Sequence, residues 1–137
     1  MAEAEAGYSK TYEITVTRDM VQKFAEVTGD FNPIHVDEEF AKKTTFGRCI
    51  AHGILIAGFF SRYLVETWGA GIYLGQDLKF VSPVFVGDTI LVQLTLTNIR
   101  SEKKIGTVET IARRKSNNDL CVKGQAIIMM KPGSGFE

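Results

Sequence analysis

The chain has 137 residues, 16 lysines and arginines against 16 aspartates and glutamates, and 45% hydrophobic side chains. That length fits one compact domain, 1–137, and is too short to divide comfortably into two. A formal net charge of zero excludes bulk electrostatics as a means of holding nucleic acid or a membrane surface, so an anionic ligand must be met by local groups.

Met1 to Lys10 is polar and acidic, without the basic start and apolar run of a signal peptide, so a frayed terminus (1–10) and a cytoplasmic location are expected. Thr11 to Thr15 alternates like a strand. Asp19 to Thr28 then sets Met20, Val21, Phe24 and Val27 at helical spacing, with Thr17 as a candidate N-cap. Gly29 suits a left-handed C-cap, and Pro33 pushes Asn32 toward extended backbone, so Thr28 to His35 reads as an ordered loop.

A short helical piece from Asp37 to Lys43 precedes Cys49 and the most apolar segment, Ile50 to Val65. That segment is shorter than the roughly 20 residues of a membrane span and contains His52 and Arg62. A helix opening near His52-Gly53 and running to Thr67 is predicted, with apolar residues on every side and therefore burial all round. The remainder changes period. Strands are predicted around Ile72 to Phe80, at Ile90 to Leu96, at Ile105 to Arg114 and at Leu120 to Lys131, separated by turn-rich segments such as Ser101 to Lys104 and Ser116 to Asp119. Short turns between consecutive strands imply antiparallel pairing. The expected class is α+β: one antiparallel sheet of about five strands curled around one long helix.

Cys49 and Cys121 are far apart and have no CxxC partner or Cys/His cluster, so they propose neither a disulfide framework nor a zinc site. Small buried hydrophobes are the plain reading. The chain has two histidines. His35 shares a loop with Asp30 and Asn32, stiffened by Pro33. Taken singly, Asp30 is explained by turn chemistry and His35 by a structural hydrogen bond. Taken together, a carboxylate and an imidazole brought to one point can share a water molecule. Gly53 opens the long helix, where free N–H groups favour negative charge and a developing enolate oxygen would be stabilised. Gly53, Ala57 and Ser61 recur every four residues as a row of small side chains, suited either to close packing or to an acyl-chain groove.

These residues carry a resemblance. Phe24 to Ala41, FAEVTGDFNPIHVDEEFA, resembles the hydratase 2 motif of the MaoC-like (R)-specific enoyl-CoA hydratases, whose core is Gly-Asp-x-Asn-Pro-(aliphatic)-His. The likeness continues through Phe46 to Gly53, Tyr73 to Gln76 and Pro83 to Asp88, and so covers nearly the whole chain. It implies a hot-dog fold, a homodimer, and the addition of water to a trans-2-enoyl-CoA with (3R) stereochemistry, without a cofactor or metal. Asp30 and His35 then match the family's catalytic pair, Asn32 its supporting amide, Gly53 its oxyanion N–H, and Ser61 a pocket-lining position. Because CoA carries phosphates, Lys42, Lys43, Arg48, Lys79, Lys103, Lys104, Arg113 and Arg114 are candidate contacts, with none singled out.

Three rival readings stand beside this one. An acyl carrier protein presents the same thioester, which would make the protein a (3R)-hydroxyacyl-ACP dehydratase. An acyl-CoA thioesterase on the same fold resembles a different pattern, with a carboxylate on the central helix. Ile50 to Val65 has none, and Glu66 reads as solvated surface. A noncatalytic acyl-thioester binding subunit would not need both Asp30 and His35.

Overall fold

A computed structural model describes residues 4–100, 102 and 104–130; the expectations that touch Ser101, Lys103 and Lys131 lie outside the described residues. Strand β1 is Ser9–Thr15 and helix α1 is Arg18–Thr28. β1 pairs with Thr89 to Thr95, and backbone bonds from Gly7 N–H to Leu96 O (2.7 Å) and from Leu96 N–H to Tyr8 O (2.9 Å) extend that ladder toward the N-terminus. Ser9 and Lys10 are therefore strand rather than fray; polar side chains on an edge strand hide the pairing that its backbone makes.

Thr17 caps α1 by accepting from Met20 N–H (3.2 Å), and Gly29 ends it at φ 79°, a left-handed conformation that few other residues adopt cheaply. Val21 and Ala25 are the buried residues of this helix, whereas Val27, expected in the same stripe, is 86% exposed. Pro33 does not stop helical structure but starts it: α2 (Pro33–Val36) is a single turn with proline in its first turn, followed by α3 (Glu38–Lys42).

Helix α4 (Gly53–Trp68) buries Ile56, Phe60, Tyr63, Leu64, Thr67 and Trp68, a stripe at helical spacing. It lies on a sheet formed by β1, β2 (Gly71–Gln76), β3 (Lys79–Phe80), β4 (Thr89–Arg100), β5 (Ile105–Arg114) and β6 (Leu120–Met130). The order is β1-β4-β5-β6-β2, with β3 also on β6, and every pairing is antiparallel. Ile90, Val92, Leu94 and Leu96 point inward as their alternation predicts. This is the expected sheet wrapped on one long helix, with six strands among the described residues. The extra strand arises because Ile72 to Phe80 is split: β2 and β3 lie along the same edge of β6, broken at Asp77. Gly124 of β6 permits that break, since a Cβ there would stand 1.8 Å from the Asp77 carbonyl oxygen.

Burial all round α4 is not what the chain achieves. Ile54 and Val65 are 56% and 53% exposed on its outer side, because the single sheet covers one face only. The front of the helix is pinned to the sheet by the segment Pro83 to Asp88. Ala51 N–H donates to Val84 O (2.7 Å), and Arg114, itself 8% exposed, reaches Asp88 (3.0 Å), Asp119 (3.2 Å) and the Pro83 carbonyl. No helix among the described residues is long and apolar enough to cross a membrane.

Candidate active site

Three short segments meet at the N-terminal end of α4. The first is the turn after α1. With Gly29 left-handed, Asp30 N–H donates to Thr28 Oγ1 (3.2 Å) and Asp30 Oδ1 accepts from Asn32 N–H (3.2 Å), an Asx turn that holds an otherwise exposed carboxylate. Asn32 Oδ1 caps α2 by accepting from Ile34 N–H (3.2 Å). The Asn32 side chain thus shapes the turn that delivers Asp30 and His35.

The second segment is α2 itself, which carries His35. Its carbonyl accepts from Arg18 (2.7 Å), whose other terminal nitrogen bonds Glu38 (2.9 Å), so the turn is tied to α1 and α3 at once. His35 Nδ1 lies 2.7 Å from Ile50 O. A carbonyl can only accept, so Nδ1 carries the proton and Nε2 keeps a lone pair. Burial pushes the His35 pKa below its ordinary value near 6.5; the Ile50 bond and the Asp30 carboxylate oppose that shift, and the neighbouring His52 adds to it. His35 is accordingly neutral at neutral pH, a base rather than a cation.

The third is the start of α4. Gly53 has no side-chain cap in front of it, since the His52 side chain turns elsewhere, so the first N–H groups of the helix are available to an acceptor. A Cβ at Gly53 would stand 2.4 Å from the Phe80 ring, so only glycine allows Phe80 to lie over the helix start. His35 and Gly53 share a cleft of about 340 Å³ whose walls include Phe46, Ile54, Phe80 and Ser82.

Of the sequence-predicted residues, Asp30, Asn32, His35 and Gly53 converge here. Ser61 does not: it lies two turns along α4, about 12 Å from Gly53 by helical rise. There it lines a cavity of about 70 Å³ with Leu64, Trp68, Ile72 and Met129, and a shallower groove with Ala57, Gly58, Tyr73 and Leu74. His52 was missed as a side chain. It is buried, packs on the His35 ring at 3.9 Å between centroids, and donates Nε2–H to Asp30 O (3.0 Å). The available signal was a histidine beside Gly53 in a chain that has only two.

Asp30, His35 and His52 offer potential ligand atoms within 4.8 Å of one another. One nitrogen of each histidine is already spent on a carbonyl, and the two rings overlap with 32° between their planes. Each ring therefore keeps one nitrogen lone pair, a donor set that can hold a water as well as a cation. Among the candidate phosphate contacts, Arg114 is committed to the interior clamp and Lys42 pairs with Glu39 (3.2 Å). Arg48 stays half-exposed over the Phe85 ring, and Lys103 lies outside the described residues. Glu66, the carboxylate a thioesterase would need, is exposed and faces Arg62 at 3.6 Å.

The family model described as a MaoC like domain matches residues 2–118. The chain is 42% identical over 112 residues to an (R)-specific enoyl-CoA hydratase of Aeromonas caviae, covering 80% of this chain and 83% of that one. It is 37% identical over 126 residues to another of that name from Rhodospirillum rubrum, covering 90% and 86%. The solved structure of an (R)-hydratase from A. caviae involved in PHA biosynthesis superposes with a TM-score of 0.86 at 37% identity, covering 92% of this chain and 96% of that one. With its α4-wrapping sheet and the Gly29-Asp30-x-Asn32-Pro33-x-His35 turn at the helix start, the chain belongs to the MaoC-like family of hot-dog proteins.

Proposed function

We propose that the protein catalyses the (R)-specific hydration of trans-2-enoyl-CoA to (3R)-3-hydroxyacyl-CoA and the reverse dehydration, as a hydro-lyase of fatty acid metabolism. The observation that carries this reading is the pairing of the Asp30 carboxylate with a neutral His35, beside the uncapped start of α4.

The thioester carbonyl accepts from Gly53 N–H, which draws electrons from the conjugated double bond and makes C3 electrophilic. A water molecule sits between Asp30 and His35 Nε2. Asp30 takes one of its protons as the oxygen bonds to C3, and the C2–C3 π pair moves toward the thioester as an enolate. The proton held between Asp30 and His35 then passes to C2 as the enolate collapses, so both water hydrogens are accounted for and the pair ends as it began. Delivery of oxygen and proton from one side makes the addition syn. The scheme calls for no cofactor, and CoA enters as part of the substrate. Asn32 acts by holding the turn, and Ser61 lines the path of the acyl chain along α4.

The working unit in this proposal is a homodimer in the cytoplasm. What supports the dimer is the edge of β2, unpaired among the described residues, with exposed Ile72, Tyr73 and Leu74 on it and exposed Val65 of α4 lining one cavity with Ile72 and Tyr73. Apolar surface of that extent is normally covered by a partner.

The test is incubation of purified protein with crotonyl-CoA, following enoyl absorbance, free thiol and product stereochemistry together. Loss of absorbance without thiol release, giving (3R)-hydroxybutyryl-CoA, is the expected result. Thiol release would make the protein a thioesterase. Turnover of crotonyl-ACP with crotonyl-CoA untouched would move the substrate to the carrier protein.

A further inference from the structure

His52 is the polar group that the proposed reaction leaves unused. It is 2% exposed and precedes α4 without capping it. Its ring is held between Phe24 (4.7 Å between centroids, 52° between planes) and His35 (3.9 Å, 32°). Nε2 stands 3.0 Å from Asp30 O; because a carbonyl only accepts, Nε2 carries the proton and Nδ1 has a lone pair. That Nδ1 is buried and has no hydrogen-bond partner among the described residues.

A phenyl ring would fill this space without burying an unpaired nitrogen, a burial that folded proteins generally avoid. What imidazole adds over phenyl is one N–H aimed at Asp30. The other bonds to Asp30, from its own N–H to Thr28 and from Asn32 N–H to its carboxylate, are local to an exposed turn and move with it. The contact of His52 spans 22 residues and ties that turn to the first turn of α4. The same ring backs His35, whose in-plane freedom is already limited by Ile50.

We infer that His52 is a positioning residue for the hydration reaction: its Nε2–H fixes the Asp30 backbone, and its face supports His35, so that the water-holding pair keeps its distance from the oxyanion end of α4. The inference rests on the proposed hydration but can fail separately from it. Nitrogen-correlated NMR of the unsubstituted protein is expected to show His52 protonated at Nε2 and His35 at Nδ1. A His52 protonated at Nδ1 instead has no donor for Asp30 and overturns the inference.

Kinetics supply the second arm. His52→Phe keeps the stack and loses the donor; it is expected to lower kcat by about tenfold or more, with KM within about twofold and an unchanged melting curve. His52→Gln restores an N–H close to the place of Nε2 and is expected to recover most of that loss. Normal kcat in His52→Phe, or equal impairment in both variants, overturns the inference. Should His52→Phe not fold, His52→Gln compared with the unsubstituted protein carries the test: kcat within a few-fold supports the donor role, and a loss as large as about tenfold overturns it. If the unsubstituted protein does not hydrate any enoyl thioester, the hydration reading fails, and the tautomer measurement still decides whether the clamp exists.

Discussion

The two faces of α4 both carry apolar residues but differ in side-chain size and in what they meet. The inner face, Ile56, Phe60, Tyr63 and Leu64, is closed against the sheet, while the outer face presents Ile54 and Val65 at more than half exposure, beside the small residues Gly58 and Ser61. The aromatic residues of the helix fall on or near the inner side and its small ones on the outer, where a groove runs toward Tyr73 and Leu74 of β2. Large side chains complete a core, and small ones leave room for something else to approach. The inner face should therefore answer to stability measurements, and the outer face and the helix start to measurements of turnover and association.

The largest expected effect is on the inner face. Phe60→Ala empties a fully buried site and should cost about 3–5 kcal/mol in denaturant unfolding. Val65→Ser on the outer face should change the stability of the fold by no more than about 0.5 kcal/mol, while weakening self-association in sedimentation experiments. Equal loss of stability in both variants would erase the distinction between the faces.

At the helix start, Asp30→Asn or His35→Gln is expected to lower kcat by at least ~100-fold with melting behaviour preserved. Near-normal turnover in both would remove the pair from the reaction. Further along the outer face, enlarging Ala57 or Ser61 to leucine should shift preference toward shorter enoyl chains, with a stability change below about 1 kcal/mol. Unfolding with unchanged preference would assign the row to packing instead.

The smallest effect is a titration. Burial holds the folded-state pKa of His35 below its unfolded value near 6.5, so the unfolded chain binds more protons in the interval between the two. The contribution of this group to stability is therefore complete above the unfolded pKa and is lost as pH falls through the folded one. Ring-proton NMR should place the His35 midpoint below 6.5, and a midpoint above that value would contradict a neutral base.

The halves of the molecule also differ in how plainly they could be read from the residues. In β4 the alternation of Ile90, Val92, Leu94 and Leu96 with polar neighbours found its inward face directly, because a strand's side-chain period is set by its own backbone. The cap at Thr17, the left-handed Gly29, and the placing of Asp30, Asn32 and His35 on one turn are likewise local. The extent of the likeness from Phe24 to Asp88 supplied the family, which periodicity alone did not reach.

Other features depended on what each segment meets in space. The composition of α4 predicts burial on all sides, yet a single sheet has one concave face to offer, and Ile54 and Val65 on the outer side stay exposed. The strand from Ile72 to Phe80 breaks because Gly124, some fifty residues on, lets the Asp77 carbonyl press against β6. His52 could be noticed beside Gly53, but its partner Asp30 lies 22 residues away, and no local pattern joins the two. By itself the sequence determined the long helices, the strands of alternating pattern, the caps at Thr17 and Gly29, and the turn that carries Asp30 and His35, since these are interactions between near neighbours along the chain. The tertiary structure alone decided which face of the helix is closed, where the edge strand breaks, and what holds Asp30 against the start of α4, since each depends on groups that only the folded chain brings together.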